Sequence, residues 1–308
     1  MKTRFIVNPR SGGAARVLDR VQTFASTLGD ADVVQTTHQH HATELAAQGL
    51  AEGCGLIVAV GGDGTLNEVA TSLIQTSATF GLIPCGSGNG LGRHLGIHGN
   101  LTRALEILRT GQPRLIDTGL ADGHPFFTAA GLGFEAEVSA RFNQLKNRGF
   151  FRYLTTSLKL WRRQIPELCR ISCDGRTITA RAFTLAVANS DQYGNDAFIA
   201  PGAQVDDGRL DLTLIPPVTL PHAVPMFIQL FAHTIGSVPG VIRLQSSGFV
   251  VERDAPGLIH TDGETHSAGS RVEFVIRPSS LRIMAPARND LELVPTDPSL
   301  VSVPSTAN

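Results

Sequence analysis

Apolar and polar positions along the chain keep two rhythms, and the change falls near residue 120. Before it, short apolar runs alternate with helix-period segments. Residues 4–7 read as a strand, followed by a Pro/Ser/Gly loop and a helix with Val17, Val21, Phe24 and Leu28 on one face. Residues 33–36 and 42–48 repeat the pair as a short strand and a helix. Strands at 56–60 and 80–84 lead into helices at 66–74 and 101–108. Such alternation predicts a parallel sheet with helices on both faces. Ligands of that architecture gather beyond the carboxyl ends of the strands.

Past residue 120 the runs shorten. Residues 126–130, 168–173, 181–188, 209–215, 249–252, 258–260 and 272–276 read as strands, and 134–163 as mostly helical. Asp174-Gly175 and Asp207-Gly208 supply turn chemistry between them. An antiparallel second unit is expected. The organisation predicted is an α/β domain over 1–119, to which about 281–294 returns, a β-rich domain over 120–280, and a disordered Pro/Ser/Thr tail over 295–308.

Composition narrows this picture only a little. A chain of 308 residues, 42% hydrophobic, suits a soluble protein of about two domains. A net charge of −1 and a pI near 6.8 point to neither nucleic acid nor an acidic partner. Cys54, Cys85, Cys169 and Cys173 lack metal-ligand pairing and read as reduced thiols of a cytoplasmic protein. The apolar stretch at the N-terminus is too short for a signal peptide. Residues 223–241 are broken by Pro225, Gln229, His233 and Pro239 and fall short of a span. Membrane contact, where there is any, is expected to be peripheral and at the inner face.

Chemistry concentrates in loops that follow strands and run short of side chains: VNPRSGG, AVGGDGTLNEV and IPCGSGNGLGRH. Glycines at a strand-to-helix turn let backbone N–H groups approach an anion, and the helix N-terminus adds positive partial charge. A carboxylate there repels phosphate unless a cation intervenes, so Asp63 suggests Mg²⁺-bound phosphate, with Thr65 and Asn67 at the same turn. The plainer alternative is a tight turn with Asp63 as a helix cap. Three such loops on one sheet edge imply a polyphosphate site. Neither a GxxxxGK[ST] cradle nor a Rossmann glycine pattern is present.

Taken in order, NPRSGG, GGDGTLNEV, IPCGSGNGLGRHLGI, IDTG, AAGLGFEAEVSARF, APGAQVDDGRLDL and TDGE resemble the lipid kinases with a diacylglycerol-kinase catalytic domain. That family includes bacterial diacylglycerol kinases and sphingosine kinases. The resemblance implies a doubly wound α/β domain of NAD kinase/phosphofructokinase type, followed by an antiparallel β-sandwich-type domain. It implies ATP- and Mg²⁺-dependent phosphorylation of a lipid hydroxyl, diacylglycerol or sphingoid in type, at a membrane surface. ATP contacts are then expected from Asn8, Pro9, Arg10, Ser11, Gly12, Thr37, Gly61, Gly62, Asp63, Gly64, Thr65, Leu66, Asn67, Glu68, Ser87 and Asn89. Asp63, joined by Asp117, would organise Mg²⁺·ATP. Asp207, with main-chain oxygens of Gln204 and Arg209, matches a structural Mg²⁺ site, the alternative being a bare turn.

The proton acceptor is assigned differently within the family: Glu264 matches it in the bacterial members, Asp63 in sphingosine kinases. Both stand as candidates here. Gly90 is a departure, because bacterial diacylglycerol kinases commonly carry Asp there; GSGNG is closer to the sphingosine- and ceramide-kinase form. Competing readings are an NAD kinase-like small-molecule kinase and a catalytically silent nucleotide- or lipid-binding module, against which the retained Asp63 and Glu264 argue. The lipid, the oligomeric state (a homodimer included) and the purine preference are left open by the sequence.

Two further segments carry charge or ligand chemistry. Residues 141–163 hold seven basic residues and no acidic one, with Leu154, Leu158 and Trp161 on one helical face and Arg152, Lys159 and Arg163 on another. With Phe150 and Phe151 nearby, this suits anionic lipid headgroups; a core-packed helix with a solvated basic face is the alternative. HQHH spaces His38 and His41 i,i+3, but no third metal ligand is evident, and the resemblance makes this a loop beside the phosphates.

Overall fold

The computed structural model describes residues 1–143, 160–161 and 166–286. Strands β1 (Thr3–Val7), β2 (Ala31–Gln35), β3 (Leu56–Gly61) and β4 (Thr79–Pro84) run parallel in the order β2-β1-β3-β4. Helices α1 (Ala14–Ser26), α2 (His41–Ala51), α3 (Asp63–Leu73), α4 (Gly90–His94) and α5 (Leu101–Thr110) complete this half. Every residue of β1 and β3 is buried, as expected of parallel strands covered on both faces. Phe5, Ile57, Val58 and Phe80 form its core with Val21, Leu66, Val69 and Leu73 from the helices.

The remainder comprises β5 (Gln112–Ala121), β6 (His124–Phe126), β7 (Ala129–Gly133), α6 (Phe134–Asn143), β8 (Glu167–Cys173), β9 (Arg176–Ala182), β10 (Thr184–Ala188) and β11 (Leu210–Ile215). It continues with α7 (Leu220–Phe231), β12 (Ile242–Ser246), β13 (Gly248–Arg253), β14 (Gly257–Thr261), β15 (Glu264–Ala268) and β16 (Arg271–Ala285). Six strands form an all-antiparallel sheet in the order β12-β11-β10-β7-β14-β15. It packs on β8, β13 and β16 through Leu132, Leu185, Leu212 and Ile259 against Ile171, Phe249 and Phe274. The architecture is therefore an α/β domain followed by an antiparallel β-sandwich.

One strand ties the halves together. The first part of β16 pairs with β13, and its last part meets β4 in parallel at Ile283↔Phe80. A bulge between Arg277 and Leu281 divides the two parts where β16 pairs with β5. A single ten-stranded sheet thus runs from β2 to β9.

Several strand expectations change. Residues 126–130 divide between β6 and β7, which lie in different sheets. Residues 181–188 likewise break at Phe183, where the chain leaves one sheet for the other. Asp174-Gly175 is a two-residue hairpin turn with positive φ at both positions, as are Asp122-Gly123 and Asp262-Gly263. Asp207-Gly208 instead ends the long connection from β10 to β11. Of the basic segment, only 141–143 and 160–161 are described, and the rest lies outside the described residues. Trp161 packs on Phe183 at 4.4 Å and on Phe134 at 5.8 Å between ring centroids. Among the described residues, no helix is long and apolar enough to cross a membrane.

Candidate functional site

The loops after β1, β3 and β4 meet at the carboxyl edge of the parallel strands and are knitted together there. Gly12 has φ +52°, and a Cβ on it would sit 2.1 Å from the Cys85 carbonyl oxygen. Gly86 lies so close to Gly62 that a Cβ on Gly86 would approach the Gly62 Cα to 2.8 Å. Hydrogen bonds follow these approaches. The Gly13 N–H donates to Cys85 O (2.9 Å), the Gly62 N–H to Ser11 Oγ (2.6 Å), and Asn8 Nδ2 to Thr65 Oγ1 (3.0 Å). Asn8 Oδ1 also accepts from the Arg10 N–H (3.1 Å).

Asp63 is the knot of this weave. Its Oδ2 accepts from the Asn89 N–H (2.9 Å) and its Oδ1 from the Gly90 N–H (3.0 Å). The carboxylate therefore caps α4, not α3, the helix that Asp63 itself opens. Burial pushes its pKa up, the Asn89 and Gly90 amides pull it down, and the charge of Asp262 pushes it up again. The expectation of three loops aiming their amides at a ligand is thus modified. The N–H groups of Gly13, Gly62, Gly86, Asn89 and Gly90 bond to oxygens of these loops, while the first turn of α3, at Asp63, Gly64 and Thr65, has no intrahelical acceptor for its N–H groups. An anion meets the positive end of the helix there.

The other wall is the β14–β15 hairpin. Asp262 accepts from the N–H groups of Phe127 (2.7 Å), Thr128 (2.9 Å) and Ala129 (3.0 Å), and also from the Thr128 hydroxyl. Its Oδ2 takes a further bond from Asn67 Nδ2 on α3 (3.2 Å), so one carboxylate joins the two halves beside Asp63. Two positions on, the exposed Glu264 side chain makes no hydrogen bond among the described residues. Desolvation raises its pKa most; His40 and His124 act to lower it, and Glu68 and Asp262 add to the rise. Asp63 and Glu264 thus both feel the charge of Asp262.

The other expected contacts scatter in role. Arg10, Gly64 and Ser87 are exposed at the crevice loops, and Pro9 is half-buried beside them. Gly61 is buried, and its carbonyl accepts from the Cys85 N–H (2.6 Å). Leu66 points into the hydrophobic core from the inward face of α3, which leaves its backbone as the part that could meet a nucleotide. Glu68 Oε2 accepts the Ala42 N–H at the start of α2 (3.1 Å). Thr37 is engaged by imidazoles: its N–H donates to His41 Nδ1 (3.0 Å), and its hydroxyl lies 3.1 Å from Nδ1 of both His38 and His41.

Asp117, expected to join Asp63 at Mg²⁺·ATP, makes its hydrogen bonds elsewhere among the described residues. It is buried, and its oxygens accept from the Gly208 N–H (2.7 Å) and the Ser279 N–H (2.6 Å), which fastens it to the VDDG turn. At that turn Asp207 accepts from the Arg209 N–H (2.9 Å) and from Gln245 Nε2 (3.2 Å), while Gln204 and Arg209 are exposed. Burial pushes Asp207 up, and the charges of Asp117 and Asp206 add to it. Buried Asp211, also within reach of Gln245 (3.4 Å), is pushed up to about 6 by desolvation.

Sequence reasoning passed over Asp262, although an Asp-Gly pair between strands is the signal for such a turn. It also missed a buried group beneath the hairpin, where the Tyr193 hydroxyl donates to Glu135 Oε2 and His260 Nε2 lies 3.2 Å from Glu135 Oε1. No local pattern links those three positions.

A parallel α/β half tied by β16 to an antiparallel sandwich is a fold that diacylglycerol kinase-like proteins share with NAD kinases. The family model for the diacylglycerol kinase catalytic domain matches residues 2–121, and that for the YegS C-terminal NAD kinase beta sandwich-like domain matches 128–285. The chain belongs to this YegS-like, diacylglycerol kinase-like family of lipid kinases. A Pseudomonas aeruginosa protein named "probable lipid kinase YegS-like" is 31% identical over 256 residues, 81% of this chain and 83% of that one. The Synechocystis protein sll0036 is 31% identical over 246 residues, 77% of this chain but only 56% of that longer protein. In fold, the chain is similar to a diacylglycerol kinase from Bacillus anthracis, with a TM-score of 0.70 and 19% identity, covering 92% of this chain and 96% of that one. An NAD kinase from Archaeoglobus fulgidus, solved in complex with ATP, gives a TM-score of 0.54 at 14% identity over 92% of this chain and 93% of that one.

Proposed function

We propose that this chain is an ATP- and Mg²⁺-dependent lipid kinase that moves the γ-phosphate of ATP to a hydroxyl of a lipid held at a membrane surface. The observation that carries the reading is the Asn67–Asp262 hydrogen bond. It brings the N-terminus of α3, suited to phosphate, against the hairpin that bears the open carboxylate of Glu264. Phosphoryl transfer asks mainly for positioning and charge compensation. The α3 amides would hold phosphate oxygens, and Asn8, Ser11 and Asn89 would keep the loops in register around them.

Glu264 is the better proton acceptor of the two candidates. Its oxygens are unengaged, whereas both oxygens of Asp63 already accept amide protons. In the transfer, the acceptor oxygen bonds to the γ-phosphorus as its proton passes to Glu264, and the bond from that phosphorus to the bridging oxygen breaks to release ADP. Asp63 then serves to shape the loops.

Two places fit Mg²⁺ by the chemistry of their donors. Asp63 keeps a second lone pair on each oxygen, and a cation would offset the burial and the Asp262 charge that raise its pKa. Asp207, with the carbonyls of Gln204 and Arg209, offers hard oxygen ligands amid crowded carboxylates. Bound near the nucleotide, Mg²⁺ supplies charge neutralisation on the phosphate oxygens.

The test uses the purified chain, γ-labelled ATP and Mg²⁺, with vesicles carrying diacylglycerol, phosphatidylglycerol or sphingosine, and NAD in a parallel reaction. Label in a lipid product is expected. Label in NAD alone, or in no acceptor, overturns the reading.

A further inference from the structure

We propose that His38, His41 and Glu44 form a binding site for a borderline transition-metal cation of the Zn²⁺ or Co²⁺ kind, separate from any Mg²⁺ bound at Asp63 or Asp207. One donor atom from each of the three residues lies within 4.8 Å of the other two, and no other group of three such residues does so among the described residues. The sequence supplies only the two histidines; the fold brings in the third ligand.

Local geometry explains how. His41 is the first residue of α2 and Glu44 lies in its first turn, three positions on, so the two share a helix face. His40 holds φ +61°, a left-handed turn that folds His38 back over His41. The two rings then lie nearly parallel, 4.3 Å apart between centroids, and His38 Nε2 stands 3.2 Å from Glu44 Oε1.

Ligand chemistry selects the metal. Two imidazoles and one carboxylate suit Zn²⁺, Co²⁺, Ni²⁺ or Cu²⁺, while Mg²⁺ and Ca²⁺ favour all-oxygen sets. The side chains of His38 and Glu44 are 55% and 63% exposed, which leaves water free to complete the coordination.

Thr37 provides the outer support that ligating histidines usually have. Its hydroxyl lies 3.1 Å from Nδ1 of both rings, placed to accept the Nδ1 proton that each ring carries when its Nε2 ligates a metal. Metal on His41 Nε2 then costs the Thr37 N–H its present bond to His41 Nδ1. Occupancy of this site would thereby be felt in the loop after β2.

Titration of the metal-free full-length protein with Co²⁺, followed by visible absorption, tests the site. One equivalent should give a ligand-field band that Zn²⁺ abolishes and excess Mg²⁺ leaves unchanged. The double variant His38→Ala/His41→Ala should lose the band, and Glu44→Gln should weaken Co²⁺ binding by about tenfold or more. His38 and Glu44 are exposed and His41 is half-buried, so the variants should keep the parent's circular dichroism, the double variant losing in thermal stability no more than the Thr37–His41 bond. A band that survives in the double variant, displacement by Mg²⁺, or no band at all would overturn the assignment.

Discussion

Two acidic turns, linked through the hydrogen bond from Asn67 to Asp262, hold their carboxylates in opposite ways. Asp63, in the glycine-rich turn after β3, is tied down by the Asn89 and Gly90 amides. In the β14–β15 turn the roles are divided. Asp262 takes the structural bonds, from Asn67, Phe127, Thr128 and Ala129, and Glu264 two residues later is left open. A carboxylate with an N–H donor on each oxygen shapes backbone; an open one beside other acids can exchange a proton. Which acid does which job is thus a matter of hydrogen-bond partners, not of residue type or proximity to phosphate.

Paired amide substitutions are the sharpest way to break that comparison. Glu264→Gln should lower kcat for phosphoryl transfer by about 10²–10⁴-fold, the span of a lost general base, with little change in Tm. Asp63→Asn should damage both properties, because the new amide turns a donor toward Asn89 or Gly90 and strands an N–H, at a cost of about 1–3 kcal/mol. Initial rates in the labelling assay, with thermal unfolding on the same samples, separate the two outcomes. If Asp63→Asn kept full stability and lost activity as completely as Glu264→Gln, the assignment of roles would be reversed. The rate of the parent enzyme should also fall on acidification through the raised pKa of Glu264.

How much of this could be read from the chain depends on where each partner lies. The parallel half was legible because β1, β3 and β4 are continuous apolar runs and the glycine loops follow them directly. The Asp174-Gly175 turn was legible for the same local reason. By contrast, the path of β16 through both halves is invisible to a window of ten residues, since each part of it reads as an ordinary strand. Phe183 looked like mid-strand because no turn residue interrupts the run from Ala182 to Ala188, although the two strands belong to different sheets. The partners of Asp117 at Gly208 and Ser279 are likewise set by chain crossings that no spacing encodes. Motif order singled out these loops; only coordinates say which of their acids are already engaged.

The same contrast of engaged and crowded acids predicts a pH effect on stability away from the crevice. Asp211 has its folded pKa raised to about 6 from 3.8, so the folded state disfavours its charge. Its stabilising contribution is complete below about pH 4 and is lost as pH rises through about 6, a change of about 2–3 kcal/mol before any local relaxation. Glu52 is the opposite case. Its pKa is held down at about 2 by Lys2, Gln48 and Arg4, so its contribution is present above about pH 4.5 and lost on further acidification. Urea unfolding of metal-free protein between pH 4.5 and 7 should therefore show stability falling with pH on account of Asp211, and Asp211→Asn should flatten that slope. An unchanged slope in the variant would remove Asp211 as its source.

The smallest effect, and the one that bears most directly on how the two walls communicate, belongs to Asn67. Its amide contributes one of the bonds on Asp262, at 3.2 Å longer than the three from backbone N–H groups, and Asp262 keeps those backbone donors without it. Asn67→Ala should thus cost only about 1 kcal/mol of stability. The hairpin would stay folded, but its register against α3 would loosen, and Glu264 rides on that hairpin. Misplacement of a reacting group lowers kcat more than it raises the KM for ATP, because the phosphate still meets the start of α3. The expected result is a fall in kcat of about tenfold with a nearly constant KM for ATP. A variant that instead raises KM for ATP and keeps kcat would make Asn67 a nucleotide contact, with the two walls held together by other bonds.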